Sequence, residues 1–224
     1  MRLTKDQIAE IKSFINKKGI KYIDVQMEIL DHVASSVEDK MADHLTFDQA
    51  LRETHTSFGV FGFSSVEDGI SSALRKKYSG VFWSQFISFF GIKYIALVLL
   101  AGALFYKIQI LIGDYHHSMM IIVPIFLCVV GFAVLFRINF KKYKEFLVYR
   151  ISVSYLGFLG SFLLFLNVII NSGSNATFLG LNLTCLLASI ILVLFTAYII
   201  TAYKTILKGI EESESLIQKY KTLP

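Results

Sequence analysis

Residues 178–203 read FLGLNLTCLLASIILVLFTAYIITAY, a run without a single Asp, Glu, Lys or Arg. A helix needs roughly 20 apolar residues to cross the hydrocarbon core of a bilayer, which is about 30 Å thick. Only helices and closed barrels satisfy their backbone hydrogen bonds there, and this run lacks the alternation of a strand. It therefore predicts a membrane-spanning helix.

Three more apolar runs precede this one. Hydrophobic residues make up 54% of the 224-residue chain, and charged residues make up 17%, against about 25% in soluble domains. We expect an all-α protein with a four-helix transmembrane domain at 81–208, followed by a tail at 209–224. The predicted spans lie at about 86–112, 119–136, 151–171 and 178–203.

Residues 1–80 are polar and have helical periodicity, which predicts a small helical domain. Three segments begin with a hydroxyl residue followed three positions later by Gln or Glu, the capping-box spacing of a helix start. Gly19 is expected to end the first helix, and the fourth is expected to start near Ser65. The three predicted boxes are Thr4 with Gln7, Thr46 with Gln49, and Ser64 with Glu67.

The second helix, predicted for about 22–44, has an apolar seam with spacings of four and three residues. An acidic edge runs beside this seam, since Asp24, Asp31 and Glu38 recur every seven residues. We expect the seam to be the buried face of the helix. Its members are Ile23, Met27, Leu30, Ala34, Val37 and Met41.

The net charge is +5, and the basic residues gather beside the apolar runs. This placement is typical of cytoplasmic flanks and of contacts with anionic membrane lipids rather than of nucleic-acid binding. The segment 137–150 holds five basic residues and one acid, whereas 113–118 and 172–177 hold no Lys or Arg. The positive-inside rule therefore predicts a multi-pass protein in which the N-terminal domain, the loop at 137–150 and the C-terminal tail are cytoplasmic, so that both termini lie in the cytoplasm.

Polar residues inside the predicted spans are candidate functional positions. Lys93 and Lys107 lie 14 residues apart, within about 40° of each other on a helix. They either extend to the two interfaces or line a pathway. Gly157 and Ser161 have the spacing that lets helices approach closely, within a bundle or a homo-oligomer. Amides expected to hydrogen-bond neighbouring helices are Asn167, Asn171 and Asn182.

Candidate metal and catalytic groups are sparse. Asp114, His116 and His117 form one cluster that could bind a metal, but zinc needs three or four ligands held by supporting partners, and this short segment gives no sign of them,. Glu28 and His32 are four residues apart on one helix face, a spacing that more often gives a surface ion pair,. HExxH, phosphate-loop and GxSxG motifs are absent from the sequence,. We therefore expect no catalytic residue, metal or cofactor, and a protein that is not an enzyme.

A resemblance to a known family rests on four short segments, with Phe58-Gly59 where that family usually has Leu-Gly. They resemble the HAAS domain, a small helical cytoplasmic domain that precedes transmembrane segments in bacterial proteins. The Lys-, Ile- and Phe-rich usage also resembles membrane proteins of Bacteroidetes. The resemblance implies a signalling or adaptor role, often with PadR-type transcription regulators. The segments are Glu28-Ile29-Leu30-Asp31-His32, Val37-Glu38, Leu45-Thr46-Phe47-Asp48-Gln49-Ala50-Leu51 and Phe58-Gly59.

Together with this resemblance, the patterns predict a non-enzymatic signalling or adaptor protein of the bacterial inner membrane that links the membrane to a cytoplasmic protein partner. The acidic side of the second helix is the expected binding face. A transporter, or an accessory or structural subunit of a larger membrane complex, is the alternative. The expected partner-binding residues are Asp24, Glu28, Asp31 and Glu38.

Overall fold

The structure is a computed structural model that describes residues 2–59, 62–112, 129, 141–158, 161, 164, 168 and 177–222. These residues are predominantly helical, which confirms the all-α prediction. A short antiparallel hairpin pairs β1 (Thr177–Phe178) with β2 (Leu181–Asn182). The helices are α1 (Lys5–Lys17), α2 (Ile23–Ala42), α3 (Phe47–Ser57), α4 (Phe63–Ser88), α5 (Ile92–Ile112), α6 (Leu147–Ser154) and α7 (Leu183–Thr222), with a 3-10 turn at Tyr155–Phe158.

The chain divides into two compact units. The first unit comprises Met1–Tyr78, Lys141–Ile151 and Gly209–Pro224, and the second comprises Ser79–Phe140 and Ser152–Lys208. The first unit therefore includes two segments that we expected to be a loop and a tail. Helices α4 and α7 each contribute residues to both units.

The starts of α1 and α3 follow the predicted capping chemistry. Thr4 and Gln7 form a reciprocal box at the start of α1, with the Thr4 N–H donating to Gln7 Oε1 at 2.9 Å. Thr46 and Gln49 do the same at α3. At the end of α1, Gly19 has a φ of +85°, a conformation that glycine adopts at little cost,. Both boxes and this helix end are confirmed.

Helix α4 begins earlier than we predicted. Its first residue is Phe63, so Ser64 lies inside the first turn. Phe63 is buried, and its ring packs edge-on against Phe14, His55 and Phe58. This packing places the helix start one residue before the predicted capping residue.

The buried face of α2 is not the predicted seam. Val25, Ile29, Val33 and Val37 are at most 1% exposed, whereas only Val37 of the predicted seam is buried. The two stripes lie about 100° apart on the helix, and packing of α2 against α1 and α3 buries the β-branched one. The other predicted seam residues remain at least partly exposed.

In the second unit, α7 and the 3-10 turn contribute to one aromatic cluster. Phe82 stacks on Tyr155 with ring centroids 4.6 Å apart and contacts Tyr198 at 5.1 Å. The Tyr198 hydroxyl donates to the Tyr155 carbonyl. The described part of the predicted third span begins with α6 and this turn.

Two described helices are long and apolar enough to cross a membrane: α5, and residues Leu183–Lys219 of α7. In the most apolar 18-residue stretch of each helix, 6% is buried in α5 and 50% is buried in α7. The predicted span at 119–136 lies outside the described residues, apart from Val129.

Four buried Ser and Thr hydroxyls on α7 donate within the helix. Ser189, Thr201, Thr205 and Ser213 are buried, and each donates to the carbonyl four residues earlier at 2.7–2.9 Å. A helix in hydrocarbon must satisfy its polar groups internally, and the bonds of Ser189 and Thr201, which lie in the predicted span 178–203, are of that kind.

Candidate functional site

An open groove of about 460 Å³ lies in the first unit, between α1, α2 and the end of α7. Its apolar lining comes from all three helices. Three carboxylates and one ammonium group accompany this lining. The groove residues are Ile8, Asp24, Met27, Glu28, Leu30, Asp31, Ala34, Leu216 and Lys219.

The groove brings together three of the four predicted partner-binding residues. Asp24, Glu28 and Asp31 have the helical spacing of four and three residues, which places them on one side of α2. Glu38 is not among the lining residues, and its Oε1 accepts the Leu3 N–H at 2.8 Å. Met27, Leu30 and Ala34 of the predicted seam also line the groove rather than the core.

Asp24 lines the groove and also forms hydrogen bonds with α6. Its two oxygens accept the N–H groups of Leu147 and Val148, each at 2.9 Å. The Ile23 N–H in turn donates to the Glu145 carbonyl at 2.9 Å. Burial raises the pKa of the Asp24 carboxyl above its ordinary value of 3.8, although the backbone donors act in the opposite direction. Asp24 therefore has a structural role.

Glu28 and Asp31 are the exposed acids of the groove. Glu28 Oε1 lies 3.4 Å from His32 Nε2, and 58% of the Glu28 side chain is exposed. Exposed ion pairs of this kind contribute little to stability. These two carboxylates are thus placed where they can bind a cationic partner.

The α7 side of the groove is held by acidic residues near the end of that helix. Lys77 Nζ contacts Glu212 Oε2 at 2.9 Å, and Lys142 Nζ contacts Glu214 Oε1 at 3.0 Å. The Tyr143 hydroxyl also donates to Glu214. Leu216 and Lys219, which follow on the same helix, line the groove. The sequence predicts a tail at 209–224 and gives no sign that this segment forms a side of the groove.

Of the polar residues predicted to lie in the membrane spans, the structure describes Lys93, Lys107 and Asn182, and it gives no contact that joins these three. Lys93 and Lys107 are both exposed on α5. Asn182 accepts the Cys185 N–H at 3.1 Å and so caps α7. Asn167 and Asn171 lie outside the described residues, as do Asp114, His116 and His117.

Gln109 is a buried amide that the sequence analysis did not single out. Its Nε2 donates to Ser189 Oγ at 2.7 Å and to the Cys185 carbonyl at 3.3 Å. The signal was available, since a lone Gln in an apolar run usually faces another helix. The contacts join α5 to α7, which is a structural role.

The groove is an open surface with an apolar lining and charged side chains at its edges. Within the described ranges, no group of three or more His, Cys, Asp or Glu residues could hold a metal ion. An open apolar groove with charged edges suits a peptide or a helix. Comparisons with family models, with curated proteins and with solved structures find no significant match for this chain.

Proposed function

We propose that the chain is a non-enzymatic membrane signalling or adaptor protein whose groove binds a cytoplasmic protein partner. The observation that carries this proposal is the groove itself, where Glu28 and Asp31 lie beside an apolar lining. The two apolar helices support membrane attachment. The first unit is the part that meets the partner.

The proposal includes a HAAS-like domain at the N-terminal end of the chain. The supporting features are the quoted motif residues and the succession of α1 to α4 in residues 5–88. A four-span bundle in the bacterial inner membrane, with both termini in the cytoplasm, completes the proposal. The distribution of Lys and Arg supports this orientation.

Affinity purification in mild detergent tests the function. The full chain is compared with Glu28→Lys/Asp31→Lys and with a control, Glu10→Lys/Asp39→Lys, which reverses two exposed acids outside the groove lining. We expect a cytoplasmic protein to co-purify with the wild type and the control, but not with the groove variant. Equal recovery of one partner from all three proteins contradicts the proposal.

Cysteine labelling tests the orientation. Ser72 is exposed on α4, and Ser72→Cys should react with a membrane-impermeant maleimide only after the inner membrane is opened. The wild-type chain gives the background labelling. Labelling of Ser72→Cys in intact spheroplasts excludes a cytoplasmic first unit.

A subunit of a larger membrane complex is the second candidate function. It is favoured by α5, which exposes Leu97, Leu99, Leu100 and Leu111. Lipid or another membrane protein would cover these side chains in the bilayer. Recovery of one stoichiometric membrane assembly from all three purified proteins supports this candidate instead of the adaptor.

A further inference from the structure

The groove combines an apolar lining with acidic charge. Met27, Leu30 and Leu216 are half-buried within it, whereas Glu28 and Asp31 are exposed. Residues 23–38 of α2 include four acids and no Lys or Arg. Among the groove residues that the structure describes, Lys219 is the one cation. The charge of this surface therefore complements a basic partner.

The end of α7 forms one wall of the groove. Its Leu216 and Lys219 line the groove opposite the acidic side of α2. Residues three apart lie on the same face of a helix. The α7 wall of the groove is therefore a helix face that carries an aliphatic side chain next to an ammonium group.

The length of the groove along α2 suits the anchoring side chains of a short helix from a partner. The α2 lining extends from Asp24 to Ala34, which is about 15 Å along the helix axis. Helices that bind in grooves use apolar anchors at positions i, i+3 or i+4, and i+7. Such a set of anchors spans two helical turns and fits within that length.

We propose that the groove binds a cationic amphipathic helix of a protein partner. Aliphatic side chains of that helix contact Met27, Leu30 and Leu216, and its Lys or Arg residues pair with Glu28 and Asp31. This inference rests on the proposed adaptor function and specifies the chemistry of the partner.

A synthetic peptide tests the inference directly. The probe is a fluorescent 18-residue helix with Leu at i, i+3, i+7 and i+10 and Lys on both flanks of that stripe. The full chain is held in nanodiscs of zwitterionic phosphatidylcholine, and empty nanodiscs give the background. We expect saturable binding by fluorescence anisotropy that weakens as the salt concentration rises.

The matched variants remove charge without reversing it. Glu28→Gln/Asp31→Asn should weaken peptide binding about tenfold, whereas Glu10→Gln/Asp39→Asn should bind as the wild type does. Circular dichroism checks that both variants keep the wild-type helix content. A peptide with Glu in place of Lys should bind no better than background.

Two results overturn the inference: no saturable binding, or equal weakening in both double variants. If a cytoplasmic partner still co-purifies in a manner that depends on Glu28 and Asp31 while the peptide does not bind, only this inference fails. If the peptide binds the groove but no such partner co-purifies, the adaptor function fails and the binding chemistry stands.

Discussion

Asp24 and Leu147, which are 123 residues apart, are joined by a 2.9 Å hydrogen bond in which the carboxylate accepts a backbone N–H. The second oxygen accepts from Val148 at the same distance. Asp24 therefore satisfies two of the N–H groups that the first turn of α6 leaves without a partner inside the helix. The start of α2 and the start of α6 stabilise each other.

Asp24→Ala should loosen α6. The variant leaves the Leu147 and Val148 N–H groups without an acceptor, a loss of about 1–2 kcal/mol. Hydrogen exchange at these two amides should accelerate about tenfold or more. Asp39→Ala, which removes an exposed acid of α2, serves as the control. Unchanged exchange in Asp24→Ala excludes a capping role.

The packing of His55 against Phe14 and Phe63 should become less stable in mild acid. Burial lowers the pKa of the His55 imidazole below its ordinary value of 6.5, and the charge of Lys18 lowers it further. The folded state therefore binds fewer protons than the unfolded state. The contribution of neutral His55 is present above pH 6.5 and is lost as the pH falls through the lowered value.

Thermal unfolding between pH 5 and 7.5 measures this effect. The wild type should lose more stability on acidification than His55→Gln, which keeps polarity without the titration. Parallel pH profiles for the two proteins contradict the assignment of this pH dependence to His55.

The stability of the end of α7 should depend on the protonation of Glu214 at low pH. Hydrogen bonds from Tyr143 and Lys142, and the charge of Lys142, lower the pKa of the Glu214 carboxyl below its ordinary value of 4.5. The contribution of Glu214 is present above pH 4.5 and is lost as the pH falls through the lowered value. Glu214→Gln should speed hydrogen exchange of residues 209–219 at neutral pH, whereas Glu211→Gln should not.

The Gln109 contact should stabilise the second unit. We expect a coupling of about 1 kcal/mol between Gln109→Leu and Ser189→Ala in a double-mutant cycle, a typical size for a hydrogen bond between membrane helices. Reversible unfolding in mixed micelles measures it. Strictly additive effects of the two substitutions would show that the 2.7 Å contact contributes nothing to stability.

Lys107→Leu separates the two roles considered for this residue. Lys107 is exposed on α5, and a lysine that extends to the interface tolerates replacement at little cost. We expect unchanged membrane insertion and expression. A protein that inserts normally but loses ion or solute flux in proteoliposomes indicates a transport pathway and contradicts this expectation.

Local chemistry was the part of the fold that could be predicted. Thr4 with Gln7 and Thr46 with Gln49 lie within one helical turn, so their hydrogen bonds depend on nearby residues alone. The buried face of α2 could not be predicted in this way, because two apolar stripes with helical spacing compete for it. The positions of α1 and α3 decide between them.

The groove, like the buried face of α2, is formed by residues that are far apart in the sequence. Its α2 side was predicted through Asp24, Glu28 and Asp31. Its α7 side could not be predicted, because residues 209–222 are held by Lys77 and by Lys142 and Tyr143, which are far away in the sequence. Polar composition made this segment resemble a free tail.

The hydroxyl bonds of α7 have a mechanical consequence. Since Thr201, Thr205 and Ser213 each donate to a carbonyl of their own helix, these bonds do not fix the helix to one register against its surroundings. A small rotation or axial slide of α7 breaks none of them. The register of α7 is therefore set by its contacts with other segments, such as Gln109 with Ser189 and Tyr143 with Glu214.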